Sequence, residues 1–325
     1  MYSVLLKRPA YALPRFYKLT RNERRFSLNS ITDALRVQSG IFRIISESAP
    51  VECLQKFVIN VHDVTGLPWW ATIVCTTFFL RSTVTVPLAL YQNFVMAKVQ
   101  NAQAELIELS KELKREVAVA VKLYDWDQKT AAYNFKRSLK KQWKALIERD
   151  NCHPAKASLL IWFQLPLWVC FSVALRNLAY QLPHSHVNAE LVHHDLSVEG
   201  FGWIVNLTQV DPYFVLPLSF GLINLTIIEI QAASRRGSPS KFQRFVLNFF
   251  RGVTIVMVPV AAGVPSCITL YWTTSSLYGF VQNLVLMSPK LKRWCRIPKT
   301  PNDIDKPYSH VIKGIKNKFV VSKIS

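Results

Sequence analysis

Five stretches of the chain, 67–90, 156–178, 211–233, 244–262 and 265–287, are apolar over the length that a helix needs to cross the hydrocarbon of a bilayer, about 20 residues. In lipid a backbone N–H or C=O finds no water, so such a segment must satisfy its hydrogen bonds internally as a helix. The apolar residues of these stretches run together rather than recurring at the spacing of an amphipathic helix or a half-buried strand. The expected fold is therefore an all-α polytopic membrane protein with five transmembrane helices. Only Gly263, Val264 and Pro265 separate the last two stretches, which predicts a helical hairpin.

Charge orders the spans. The chain carries 40 Lys+Arg against 20 Asp+Glu, a surplus that in a soluble protein would suggest nucleic acid. Here the basic residues alternate by loop. There are 13 Lys/Arg from Lys98 to Lys156, none between 177 and 234, and ten in the tail 288–325. Arg235, Arg236 and Lys241 follow the third span. Untranslocated loops retain Lys and Arg, so the first span runs from outside to inside and the C-terminus stays inside. The first 30 residues carry seven basic residues, hydroxyls, apolar spacers and one acid, Glu23. That is the composition of a mitochondrial presequence, assigned to 1–40, with no apolar region of a secretory signal. Inside is then the matrix, and the N-terminus of the mature chain faces the intermembrane space.

Between the spans, 50–65 reads as an interfacial amphipathic helix, with Ser48 as cap, Pro50 in the first turn, an apolar face of Val51, Leu54, Phe57, Val58 and Val61, and Gly66 as its end. Residues 91–150 are charged and helical in pattern, with Glu105, Glu108, Glu112 and Glu116 on one repeat. A break at Asp125-Trp126-Asp127 predicts a two-helix hairpin in the matrix. Its surplus of basic residues suits anionic headgroups or an acidic polypeptide, or is simply a solvated face. Six cysteines have no paired spacing, which argues against a disulfide framework or a zinc site. His184, His186, His193 and His194, with Glu190 and Asp195, crowd the loop 179–210; a polar loop collects histidines freely, and no metal site or other cofactor is predicted.

The polar residues inside the spans are the functional candidates. Arg81 lies nine residues from the inner end of the first span and 14 from its outer end. An arginine deep in a membrane helix costs roughly 2.5 to 3.5 kcal/mol by insertion scales, so it normally faces a polar cavity or pairs within the bundle. Gln164, Asn224, Glu229, Tyr271, Trp272, Thr273, Ser276 and Gln282 are the other residues expected to line a hydrophilic groove open to the matrix, with Glu229 a candidate partner for Arg81. Each alone also suits an interhelix hydrogen bond.

Phe79-Leu80-Arg81-Ser82-Thr83-Val84-Thr85-Val86-Pro87-Leu88, followed by Gln92, resembles the first-span signature of the YidC/Oxa/Albino family of membrane protein insertases. Gln164-Leu165-Pro166 and Leu270-Tyr271-Trp272 are similar to its second-span and last-span signatures. The stretches 62–70, 149–154 and 174–178 resemble one mitochondrial branch of that family, and the likeness extends over roughly 50–300. Two features depart from the pattern: Ser266-Cys267 stands where the family has a glycine after the last-span proline, and the tail after 288 is short and without heptads.

The resemblance implies a substrate groove containing Arg81, Gln164 and Trp272. It also implies a client, cytochrome c oxidase subunit 2, whose C-terminal domain must pass from matrix to intermembrane space during oxidase assembly. Other inner-membrane chains, oxidase assembly factors and membrane lipid are further expected partners; nucleic acid is not. No Walker A, GxSxG or HExxH sequence is present, so no enzyme activity is expected. Two alternatives stay open: an assembly scaffold that only packs against oxidase subunits, and an anion transporter, which the lack of an internal repeat disfavours.

Overall fold

A computed structural model describes residues 44–181, 189–234, 240–301 and 303–321. The expected presequence, His184, His186, Arg235 and Arg236 lie outside them. Regular structure among the described residues is helical, apart from one isolated antiparallel bridge between Phe201 and Ile204. Helix α1 (Ala49–Thr65) begins at Ser48 with Pro50 in its first turn and ends at Gly66, whose φ of 60° lets its N–H reach the His62 carbonyl at 2.8 Å. The Ser48 hydroxyl does not cap this helix; it turns back to the Ile45 carbonyl at 2.6 Å.

Helix α2 (Trp69–Leu80) passes through a π turn (Arg81–Thr85) into α3 (Val86–Tyr124), one continuous helical run. Pro87 explains the π turn. It has no N–H for the carbonyl one turn back and its ring crowds that carbonyl, so the preceding turn widens, with the Val86 N–H bonding to the Arg81 carbonyl. Asp125, at φ 48°, ends α3, and the Asp127 carboxylate caps α4 (Gln128–Asp150) by accepting from the Gln128 N–H at 2.8 Å. Helix α4 returns along α3: Val95, Val99 and Ala102 pack with Leu146, Cys152 and Ala157. Arg149 donates to both oxygens of Glu105 at 2.8 and 2.7 Å.

After α5 (Pro154–Ala157) come α6 (Leu159–Ala179), the short α7 (Ala189–Val198), α8 (Val215–Ala233), α9 (Lys241–Ala262) and α10 (Ser266–Met287). The tail adds α11 (Pro289–Trp294) and α12 (Pro307–Val321), which packs on α8. Four helical runs among the described residues are long and apolar enough to cross a membrane: Trp69–Tyr124, Pro154–Ala179, Val215–Ala233 and Lys241–Ala262. The sequence predicts five. Helix α10 has the length, but its tyrosines, serines, threonines and Gln282 and Asn283 lower its apolarity, and nine of its residues are buried between other helices.

The core lies at one end of this bundle. Trp69, Ile73, Phe171, Leu175, Leu196, Ile204, Leu207 and Cys267 are all essentially inaccessible and gather where α2 and α10 begin, α6 ends and the α7 segment folds over them. Polar staples hold this end. Glu199 accepts from the Trp69 N–H at 2.8 Å, and Asp211 accepts from Trp203 Nε1 and from the Tyr213 and Leu216 N–H groups at the start of α8. Asn177, fully buried on α6, accepts from the Ser46 hydroxyl at 2.7 Å and donates to Gln55 Oε1 at 3.4 Å. Helix α1 is thereby docked on α6 through Val51, Gln55 and Val58.

Helix α9 stands at the edge, packed on α8. Two contacts set their register. A Cβ placed on Gly221 would lie 2.4 Å from Val258 Cγ2, so only glycine admits that methyl group. Some two turns away Arg251 meets Glu229 at 2.5 Å. Elsewhere α9 turns Phe245, Phe249, Phe250, Ile255 and Val256 outward.

Candidate functional site

Away from the packed end, α2 and its π turn, α6 and α10 leave a small, partly open cleft. It is lined by Thr77, Leu80, Arg81, Thr85, Gln164, Leu167, Trp168 and Tyr271. Three of the expected groove residues, Arg81, Gln164 and Tyr271, therefore share one site. The π turn starts at Arg81, so the widened backbone and the cation coincide. The guanidinium donates through Nε to the Ser275 hydroxyl at 3.0 Å and through Nη2 to the same oxygen at 2.5 Å. Ser275 sits one turn after Tyr271 on the same face of α10, and the next position on that face, Tyr278, exchanges a 2.8 Å hydrogen bond with Ser82.

Among the described residues no carboxylate comes within ion-pair distance of Arg81. Glu229, expected as its partner, belongs instead to Arg251 on α9. The reason is rotation about the α8 axis: Asn224 faces α10, and Glu229, five residues on, turns to α9. The cleft thus presents a cation held by one neutral hydroxyl, beside an amide and a phenol. Such a site attracts acidic groups and solvates polar backbone without chemistry of its own.

Other candidates lie elsewhere. Trp272 is buried, donates from Nε1 to the Ser172 hydroxyl at 2.9 Å and stacks on Trp168 at 5.2 Å, so it backs the cleft wall rather than facing the opening. Thr273 donates to the Leu216 carbonyl at 3.1 Å, and Asn224 donates to the Ser276 hydroxyl at 2.9 Å; both join α8 to α10. Gln282 is half-buried farther along α10, outside the cleft lining. Thr77, Leu80, Thr85, Leu167 and Trp168 also line the cleft and Ser275 holds Arg81, none of them among the nine expected groove residues. Ser275 was discoverable from its place one helical turn after Tyr271, whereas Thr77 carries no such signal. For the histidine-bearing loop, no group of metal ligands occurs among the described residues.

Residues 60–293 match the 60Kd inner membrane protein family, and the match takes in the Arg81 span, the α3–α4 pair and α10. The chain belongs to that family. This is the insertase family, YidC/Oxa, that its first-span residues resemble. Among relatives, the mitochondrial cytochrome c oxidase assembly protein COX18 of Mus musculus is 42% identical over 284 residues, 87% of this chain and 85% of its own length. The cox18 protein of Schizosaccharomyces pombe is 30% identical, covering 70% of this chain and 96% of its own. The mitochondrial inner membrane protein OXA1 of Arabidopsis thaliana is more distant, 29% identical over 78% of this chain and 53% of its own.

Proposed function

We propose that this protein is a mitochondrial inner membrane insertase that acts in cytochrome c oxidase assembly. We further propose that its client is oxidase subunit 2, whose C-terminal domain it passes from the matrix to the intermembrane space. The relatives named as mitochondrial oxidase assembly proteins support the first part. The observation that carries the mechanism is the Arg81 cleft: a cation hydrogen-bonded to Ser275, with no acidic partner among the described residues, between α10 and two helical runs apolar enough to span a membrane.

In this reading α10 crosses the membrane as the fifth span, the basic α3–α4 pair and the tail lie in the matrix, and the packed end faces the intermembrane space. Hydrocarbon charges several kcal/mol for each unsatisfied backbone group of a polar segment. The cleft lowers that barrier by hydrogen bonding, and Arg81 holds acidic client side chains in passing. Burial of the client's own apolar span and the matrix-negative potential, about 2.3 kcal/mol per charge per 100 mV, supply direction. No bond is made or broken.

The test is protease accessibility of newly made subunit 2 in mitoplasts lacking this protein, rescued with wild type, Arg81→Ala or Arg81→Lys. Wild type restores exposure of the C-terminal domain, Lys restores part, and Ala lowers it by about tenfold or more, the scale expected for losing a hydrogen-bonded charge. Full rescue by Ala transfers the role to a passive scaffold. That second reading draws on α10, most of whose polar side chains serve helix packing.

A further inference from the structure

Helix α4 carries a basic surface that the cleft does not use. Lys129, Lys136, Arg137, Lys140 and Lys141 are all exposed, and none makes an ion pair with any described residue. At about 100° per residue they fall within an arc of about 140° on one face of the helix. The face with Phe135, Leu139 and Leu146 is the less exposed one and packs toward α3. From 128 to 147 the helix has no acidic residue. The acids of the hairpin base are otherwise engaged: Glu105 and Asp150 are held by Arg149, and Glu148 lies 3.5 Å from Lys144. No described carboxylate forms an ion pair with this stripe, which is about 18 Å long at about 1.5 Å rise per residue.

Its position selects the partner. Helix α3 continues from the Arg81 span without a break, and α4 returns beside it to Asp150, just before the next span begins at Pro154. Lys141 and Lys129 are then about 14 and 32 Å from Asp150 along the helix. Even at a span tilt of about 40°, the upper end of the usual range, these become about 10 and 24 Å above the membrane surface. Surface charge is screened within roughly 8 Å at physiological ionic strength, so the stripe stands beyond the reach of its own headgroups. Four of its five cations are lysines, point charges without the bidentate fork that suits phosphate, and Tyr133 is the one aromatic side chain on that face.

We propose that this stripe is a receiving surface for extended acidic polypeptide, gathering acidic client segments before they reach the Arg81 cleft. The proposal rests on the insertase reading for the source of that polypeptide. Both surfaces have the same sign of charge, and α4 packs along the helical run that carries Arg81, so an acidic segment leaving the stripe meets a second cation at the cleft. Lysine attraction without shape selection suits a transient, sequence-tolerant encounter.

The experiment uses the full chain in nanodiscs of zwitterionic lipid and reads fluorescence anisotropy of a labelled Glu-Ser repeat peptide. About ten residues suffice to cover the stripe at roughly 3.3 Å each. A Gly-Ser peptide and a single-stranded RNA of similar length are the comparison ligands. The stripe variant carries Lys129→Gln, Lys136→Gln, Arg137→Gln, Lys140→Gln and Lys141→Gln; a charge-matched control carries Lys241→Gln, Arg244→Gln, Lys290→Gln, Lys306→Gln and Lys313→Gln.

The expected result is salt-sensitive binding of the acidic peptide, about tenfold weaker in the stripe variant and within about twofold of wild type in the control. Equal binding by wild type and stripe variant overturns the proposal, and so does a stripe-dependent preference for RNA, which would assign the surface to nucleic acid. Because this readout needs no insertion, failure of the mitoplast rescue would sink the insertase reading while leaving a stripe-dependent binding result intact.

Discussion

Arg81 is legible from the sequence because a cation in an uninterrupted apolar run must have a polar environment. Which environment was not legible. The sequence offered Glu229 as counter-charge, whereas the guanidinium meets the neutral Ser275 hydroxyl. A neutral acceptor orients the cation without cancelling its charge, which leaves it free to act on a passing anion. Ser275→Ala is therefore expected to leave Arg81 charged but poorly aimed. A hydrogen bond to a charged group contributes about 1.5 to 3 kcal/mol, so export of the subunit 2 domain, read by protease exposure, should fall several-fold while remaining above that of Arg81→Ala. An export rate equal to wild type would show that Arg81 acts without this bond. Trp272 behaves differently: its buried stacking on Trp168 and its bond to Ser172 make Trp272→Ala primarily a stability defect of about 3 to 5 kcal/mol, checked as lost thermal resistance in detergent.

At the scale of elements, α9 depends mainly on one neighbour, α8. It packs on α8 through the Gly221–Val258 approach and the Glu229–Arg251 pair, with most of its apolar side chains turned outward. Removing one member of a partly buried pair leaves the other uncompensated. Arg251→Leu or Glu229→Leu alone should lower the detergent melting temperature, and the double change should lower it by less than the sum, as a double-mutant cycle would measure. Gly221→Leu should be worse than either, since its side chain would occupy the place of Val258.

The base of the α3–α4 pair responds to pH. Hydrogen bonds from Arg149 hold the Glu105 and Asp150 carboxyls below the usual carboxylate range. A depressed carboxyl contributes stability above its unfolded pKa of about 4 and loses that contribution as pH falls through the lower folded value. The clamp is thus expected to persist at neutral and mildly acidic pH and to release only in stronger acid. Arg149→Ala should move both titrations upward in carboxyl-carbon NMR; unchanged midpoints would remove Arg149 as their cause.

For the whole molecule the one-sidedness of the fold matters most. The tight core closes one end, stapled by Glu199, Asp211 and Asn177, and the cleft opens away from it. In the proposed orientation an acidic client domain moves outward down the potential, and a basic one moves against it at about 2.3 kcal/mol per charge per 100 mV. If oxidase subunit 2 is the client, as proposed, replacing acidic residues of its C-terminal domain by lysine should slow its appearance outside mitoplasts, and the slowing should shrink when an uncoupler collapses the potential. An unchanged rate in energised mitochondria would remove the potential from the driving force.

The sequence by itself determined the class of the molecule. Apolar runs of bilayer length must be helices, loop charge proposes an orientation, and the Arg81, Gln164 and Tyr271 motifs identify the family and three residues of its cleft. It also marked the turn at Asp125-Trp126-Asp127, because helix-ending chemistry is local. The tertiary structure decided every pairing between distant helices: Ser275 rather than Glu229 beside Arg81, Trp272 and Thr273 in packing rather than at the opening, and α10 buried among its neighbours. Those outcomes depend on the rotation of each helix about its own axis, which the π turn at Arg81–Thr85 alters within the first span and which only the packed bundle sets.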